Sequence, residues 1–276
     1  MAARVETLTL RECAERLGVH YMTAYRYVRL GMLPATKVGA EWHVEVDDLD
    51  HFRETGTSGG RGRNHRSAPW AERLTARMIA GDERGAWQVV EAALSSGMEP
   101  SEIYTDVLGP AMCAVGDRWA EGTGSIAEEH LATAVATRIV GRMSARFTHR
   151  GRPRGRVVIG TPPGEAHGLP AAMVADMLRG AGFDVVDLGH DLPVEAFVEA
   201  VVAAAPVTAI AISIIASDAL PVAERLIVAL RDATDTPIVV GGGAVSGPEG
   251  AVRLGADAFA ADGPAAVAYA LALTAH

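Results

Sequence analysis

One histidine stands where metal chemistry can be done. His167 lies in the loop Gly160-Thr161-Pro162-Pro163-Gly164-Glu165-Ala166-His167-Gly168. The apolar run Val157-Val158-Ile159 leads into that loop, and a helix-like run from Ala171 to Arg179 leaves it. An imidazole so placed stands at the carboxyl end of a strand, where open α/β sheets take their ligands. Glu165, two residues earlier, can hydrogen-bond one ring nitrogen and leave the other as a metal donor. Two further features end later apolar runs: Ser213-Ile214-Ile215 and Gly241-Gly242-Gly243. Small residues at such strand ends let a ligand approach the backbone closely.

The elements that must position these residues follow from periodicity. From Gly155 onward short β runs alternate with helices. Strands are expected at 157–160, 184–188, 209–213, 238–241 and 258–260. Helices fill the gaps at 169–181, 193–204, 218–233 and 248–254, with a last one at 263–275. Alternation of this kind specifies a Rossmann-like parallel, doubly wound sheet. Residues 68–150 carry no strand signals. Their helical spacing, broken at Gly81-Asp82, Gly97-Met98-Glu99-Pro100 and Gly122-Thr123-Gly124, gives four helices at 69–80, 82–96, 100–119 and 125–148. These should pack as a bundle. Ser125 and Glu128 have the spacing of a capping box.

The N-terminal part differs again. Thr9 to Leu17 reads as a capped short helix stopped by Gly18, and Tyr21 to Arg29 as a second helix directly after it. Two short helices joined by a tight turn form a helix-turn-helix, whose second helix presents its first residues to the major groove. Tyr21, Met22, Thr23, Tyr25 and Arg26 are therefore candidates for DNA contact, with Arg29 as a further phosphate contact. Lys37 to Val44 reads as a hairpin wing, and Asp47 to Phe52 starts a small helix. The stretch resembles the DNA-binding domain of the MerR superfamily in its small, excisionase-like form. The expected organisation is a winged helix-turn-helix domain at 1–56 and a flexible cationic linker at 57–67. A helical bundle at 68–150 and a sheet domain at 151–276 complete it.

Charge and composition bound the function. The chain of 276 residues carries a net charge of −9, yet residues 1–66 are at +1 and the remainder at −10. An acidic body repels a duplex, so DNA contact is expected from the N-terminal piece, acting as a multimer. Cys13 and Cys113 lie a hundred residues apart and form neither a metal-ligand spacing nor a disulfide framework. Reduced thiols and a cytoplasmic location are expected. No signal peptide is read at the N-terminus, and no apolar run reaches membrane-spanning length.

A second motif lies in the bundle: Trp119 followed, after nine residues, by Glu129-His130. Together with the helix-turn-helix and the His167, Ser213 and Gly241 series, it resembles the CarH-type, LitR-related photoreceptor regulators. The resemblance covers nearly the whole chain. Their cobalamin fingerprint runs Asp-x-His-x-x-Gly, then Ser-x-Leu, then Gly-Gly. The likeness implies that His167 is the lower cobalt ligand, displacing the cofactor's nucleotide base. The freed tail would slide beside Ser213, Ile215, Gly241 and Gly242. Gly168, Gly189 and Asp191 are further cofactor contacts by the same likeness. It also implies that Trp119 packs on the adenosyl group of adenosylcobalamin and that Glu129 and His130 belong to that upper face.

Three departures stand out. Glu165 replaces the family's Asp, and Pro170 replaces its last glycine. Ala120 occupies the position after the tryptophan, where members that become bis-histidine ligated after illumination carry a second histidine. The implied function is a non-enzymatic repressor that assembles as a homodimer or homotetramer with adenosylcobalamin and leaves double-stranded DNA when light breaks the cobalt–carbon bond. Two other readings stay open. A corrinoid methyl carrier would share the bundle and the His167 loop but has no use for a helix-turn-helix. A photoreceptor holding a bilin beside or instead of cobalamin would fit Ala120, although no anchoring cysteine motif is present.

Overall fold

The computed structural model describes residues 7–17, 19, 21–29, 33–38, 41–46, 48–50, 52 and 69–275. The chain divides into two compact units, Met1–Pro69 and Trp70–His276. The linker expected at 57–67 lies outside the described residues.

In the first unit, strand β1 (Thr7–Thr9) precedes helices α1 (Leu10–Leu17) and α2 (Tyr21–Arg29). Strands β2 (Thr36–Val38) and β3 (Glu41–Glu45) form the wing, and a short helix α3 follows at 48–50. Thr9 and Glu12 cap α1: the Thr9 amide donates to Glu12 Oε2 at 2.7 Å. Sequence reading missed β1. It pairs antiparallel with the central β3, Leu8 opposite Val44, and only that distant partner makes a three-residue Thr-Leu-Thr segment a strand. Leu10, Cys13, Ala24, Val28, Leu33, Val44 and Leu49 form the unit's core.

The second unit begins with the bundle: α4 (Trp70–Ile79), α5 (Glu83–Ser95), α6 (Pro100–Glu102), a π-helical segment Ile103–Leu108, α7 (Gly109–Ala120) and α8 (Ile126–Met143). The helix expected at 100–119 is thus continuous but carries a π stretch, where Ile103, Tyr104, Val107 and Leu108 are buried. In α8, Ala132, Val135, Ala136, Ile139, Val140 and Met143 recur at three- and four-residue spacing and face the core. Its capping box is formed, with Glu128 N donating to Ser125 Oγ at 3.1 Å and Ser125 N to Glu128 Oε2 at 2.8 Å.

Five parallel strands follow: β4 (Arg156–Gly160), β5 (Asp184–Asp187), β6 (Ala209–Ser213), β7 (Ile238–Gly241) and β8 (Ala258–Ala260). Their spatial order is β5-β4-β6-β7-β8. Helices α9 (Gly168–Gly180) and α13 (Gly263–Ala272) pack on Val157, Ile159, Ala209, Ala211 and Val239. Helices α10 (Val194–Ala203), α11 (Leu220–Ala233) and α12 (Gly247–Leu254) pack with Val158, Ile210, Ile212 and Val240. The two-residue alternation along each strand supplies both layers. Bundle and sheet, read from composition as separate regions, share one compact unit. Met177 belongs to the bundle's core, and Leu169, Ala172, Met173 and Val267 pack against it.

Candidate functional site

Strand order selects the site. β4 pairs with β5 on one side and β6 on the other, so the direction of winding reverses between β4 and β6. Loops leaving the carboxyl ends of those two strands open a crevice at the switch point. His167 is in the loop after β4, and Ser213 to Ala216 end β6 and start its loop.

Glu165 joins the two loops. Its side chain is 0% exposed, yet both carboxylate oxygens are filled. Oε1 takes the His167 amide at 2.9 Å and lies 2.5 Å from the ring nitrogen Nδ1; Oε2 takes the Ile215 and Ala216 amides, each at 2.7 Å. Burial pushes the carboxyl up, but the hydrogen bonds from Ala216, His167 and Ile215 outweigh it and hold Glu165 below the ordinary glutamate value. An ionised Glu165 can only accept, which puts the imidazole proton on Nδ1 and leaves the Nε2 lone pair available. The His167 side chain is 58% exposed. The linkage to Ile215 and Ala216 is absent from the sequence reading, since no local signal joins residues 50 positions apart.

The rest of the loop is pinned by a second chain of bonds. Asp191, at φ 55°, accepts the Gly164 amide on Oδ1 at 2.7 Å and donates its own amide to Thr161 Oγ1 at 3.0 Å. The buried Thr161 hydroxyl donates to the Glu165 carbonyl at 2.9 Å. Asp191 therefore braces the histidine loop. Gly189, at φ 71°, accepts the Thr161 amide at 3.2 Å. A Cβ at Gly168 would come within 2.7 Å of the His190 ring, so glycine there seats that side chain.

At the end of β7 two glycines are required by the protein's own packing. Gly242, at φ 106°, lies so close to Ile214 that a Cβ would run into the Ile214 carbonyl oxygen. A Cβ at Gly241 would meet the Ala260 carbonyl at 2.7 Å, whereas at Gly243 and Gly189 it would meet nothing within 4 Å. Among the described residues, no group of three or more His, Cys, Asp or Glu side chains forms a metal cage. The donor set is one oriented imidazole, which suits a metal that arrives already held by its own macrocycle. The residues present thus fit a corrinoid: His167 can offer a nitrogen to the metal, and Ser213 and Gly241 end the neighbouring strands β6 and β7.

The upper-face candidates are arranged differently. Trp119 lies in the last turn of α7 and is 58% exposed, and Glu129 and His130 lie in the first turns of α8. The short turn between the helices puts the three at one end of the bundle. Glu129 Oε1 accepts from the Thr133 hydroxyl at 3.0 Å, and its Oε2 is 3.5 Å from His130 Nδ1; the His130 side chain is 75% exposed. In the first unit, Tyr21 is exposed and its ring stacks on that of Tyr25, with centroids 6.5 Å apart. Tyr25 is half-buried against that unit's core. The side chains of Met22, Thr23, Arg26 and Arg29 lie outside the described residues.

One buried cluster escaped the sequence reading. Asp176 on α9 is 2% exposed and accepts from Tyr104 Oη at 2.7 Å, Ser144 Oγ at 2.6 Å and Arg179 Nη1 at 3.0 Å. Burial, then the Asp176 carboxylate, pushes the Tyr104 hydroxyl well above its ordinary value. The cluster ties the bundle to the helix that begins one residue after His167. Its signal was a lone acid in an otherwise apolar helix stretch, with an arginine three residues on.

Fold and crevice together define a corrinoid-binding module. Two B12-binding-domain models match, at residues 70–143 and 155–271, and a helix-turn-helix model matches residues 7–57. Trimethylamine corrinoid protein 1 of Methanosarcina acetivorans is 34% identical over 194 residues, 64% of this chain and 84% of that protein. The HTH-type transcriptional repressor CarH of Myxococcus xanthus is 32% identical over 192 residues, 67% of this chain and 62% of that repressor. In the same fold is the Methanosarcina barkeri monomethylamine corrinoid protein, with TM-score 0.66 and 21% identity over 74% of this chain and 98% of that one. The chain belongs to the B12-binding corrinoid protein family and carries a helix-turn-helix domain ahead of its two B12-binding domains. No helix among the described residues is long and apolar enough to cross a membrane.

Proposed function

We propose that this chain is a cobalamin-controlled transcriptional repressor, light-responsive and not an enzyme, whose hold on double-stranded DNA depends on adenosylcobalamin. The observation that carries the reading is the helix-turn-helix domain on the same chain as both B12-binding domains. Bound adenosylcobalamin would supply a cobalt–carbon bond that light can break. His167 offers Nε2 to the metal, Glu165 holds the proton on Nδ1, and Ser213, Ile215, Gly241 and Gly242 are the residues we assign to the cofactor's tail. Trp119, Glu129 and His130 are the groups we assign to the adenosyl side. An exposed indole gains most by covering an apolar ligand surface, and a carboxylate can accept from ribose hydroxyls. Assembly into dimers or tetramers would give the slightly basic N-terminal units the avidity that the acidic body denies them singly.

A second reading has its own support: relatives at 34% identity are methylamine corrinoid proteins matched over most of their length. A methyl carrier would bind methylcobalamin as well as adenosylcobalamin and would ignore DNA. Titration of the full chain with both cobalamins in the dark, followed by duplex binding before and after green light, separates the two. Adenosyl preference with DNA release on illumination is expected. Equal affinity for both forms and no duplex binding would overturn the repressor reading.

A further inference from the structure

We infer that the arginine-rich edge between bundle and sheet is a second surface for DNA phosphates, separate from the helix-turn-helix. From Leu131 to Gly164 the chain holds seven arginines and no acidic residue, in a body whose net charge is −10. Four of the seven are engaged. Arg138 and Arg142 pair with Glu83 at 2.9 and 3.2 Å, and Arg156 with Asp184 at 2.8 Å. Arg154 donates from Nε to the Ala181 carbonyl at 3.0 Å. Arg146, Arg150 and Arg152 are exposed and have no ion-pair partner among the described residues.

The segment that carries them is fastened. Arg154 N donates to the Gly182 carbonyl and Asp184 N to the Gly155 carbonyl, both at 2.9 Å. The His149 ring lies so close to Gly182 that a Cβ there would meet it at 3.0 Å. Arg150 and Arg152 stand no more than about 7 Å apart along the chain, close enough to reach neighbouring phosphates of one strand.

The chemistry favours a polyanion backbone over other anions. The groove beside the segment, lined in part by Phe147, His149, Pro153 and Arg179, holds about 220 Å³. That is below the roughly 300 Å³ at which small-molecule sites begin. No large hydrophobic side chain is exposed between 144 and 156, so the patch lacks the apolar centre of a protein interface. Guanidinium groups pair phosphate oxygens two at a time. Arg156 opens β4 at its amino end, and the His167 loop leaves the other end of the same strand. A duplex on this edge would leave the crevice open. The inference rests on the DNA-binding reading above, because the helix-turn-helix on the same chain is what brings a duplex near.

The test uses the full chain and a random-sequence duplex, titrated across a salt series. Replacing Arg146, Arg150 and Arg152 by Gln should flatten the salt dependence by about 0.9 per lost phosphate contact, or roughly 2.7 in all, and weaken binding ~tenfold or more. The cobalamin absorption spectrum of that variant should match the unaltered chain, which reports an intact fold. Arg26→Gln serves as the helix-turn-helix comparison. If the triple variant keeps the unaltered slope while Arg26→Gln lowers it, this inference is overturned and the DNA reading stands. No binding by the unaltered chain in any cobalamin state overturns both.

Discussion

Glu165 and Glu129 are both assigned to the cofactor site, and they are held in opposite ways. Glu165 is sealed from solvent and bonded to three backbone amides and one ring nitrogen, drawn from two strand-end loops. Glu129 is part-exposed, bonded to Thr133 one turn along its own helix. The His167 side is therefore organised before any ligand arrives. On the bundle side, Trp119 and His130 stay open to water. Preorganisation lowers the ordering cost of binding, so affinity should reside mainly in the His167 loop and selectivity for the upper ligand in the bundle.

The largest break in that contrast is His167→Ala. It removes the single oriented donor, and cobalamin affinity should fall by more than the ~100-fold that marks the upper range for losing an outer-shell partner. Equilibrium dialysis and the absorption spectrum report it, and an unchanged spectrum would remove His167 from the metal. Glu165→Gln comes next, with a loss of about 10- to 100-fold in affinity. The amide has one acceptor oxygen and no charge, where the ring nitrogen and three backbone amides converge on two carboxylate oxygens. The same variant carries a pH signature. A carboxyl depressed in the folded state contributes stability that is present above its ordinary value of 4.5 and disappears as pH falls through the lowered one. Unfolding midpoints between neutral pH and the region below 4.5 should therefore decline less in Glu165→Gln than in the unaltered chain.

Tyr104→Phe probes the seam between bundle and sheet. It strips one of three donors from the buried Asp176 and should cost about 1–3 kcal/mol in denaturant unfolding. Loss of metal ligation in this variant would show that the seam also aims the histidine loop. Trp119→Ala should move stability least, within about 0.5 kcal/mol, because the ring is mostly exposed. Its effect should appear as a reduced preference for adenosylcobalamin over methylcobalamin in paired titrations. A large stability loss instead would mean that the indole serves the bundle and not a ligand.

Local pattern carried much of this protein. The alternation of apolar runs placed all five strands of the parallel sheet within a residue or two, because strand and helix periods are written in neighbouring side chains. The capping box at Ser125 and the His167 loop with its carboxylate were equally legible. Both are contacts between residues two or three positions apart. The sequence also marked Asp191, but only the fold showed that this residue braces the histidine loop through Gly164 and Thr161.

What the tertiary structure decided was every contact that spans long stretches of chain. Strand β1 exists through β3, the Glu165 bridge needs β4 and β6 side by side, and the Asp176 cluster joins residues 32 and 72 positions apart. Residue types alone said that His167 could meet a metal. The strand order turned its loop into one wall of a crevice, because only the reversal between β4 and β6 brings the amides of Ile215 and Ala216 to the carboxylate that holds the ring.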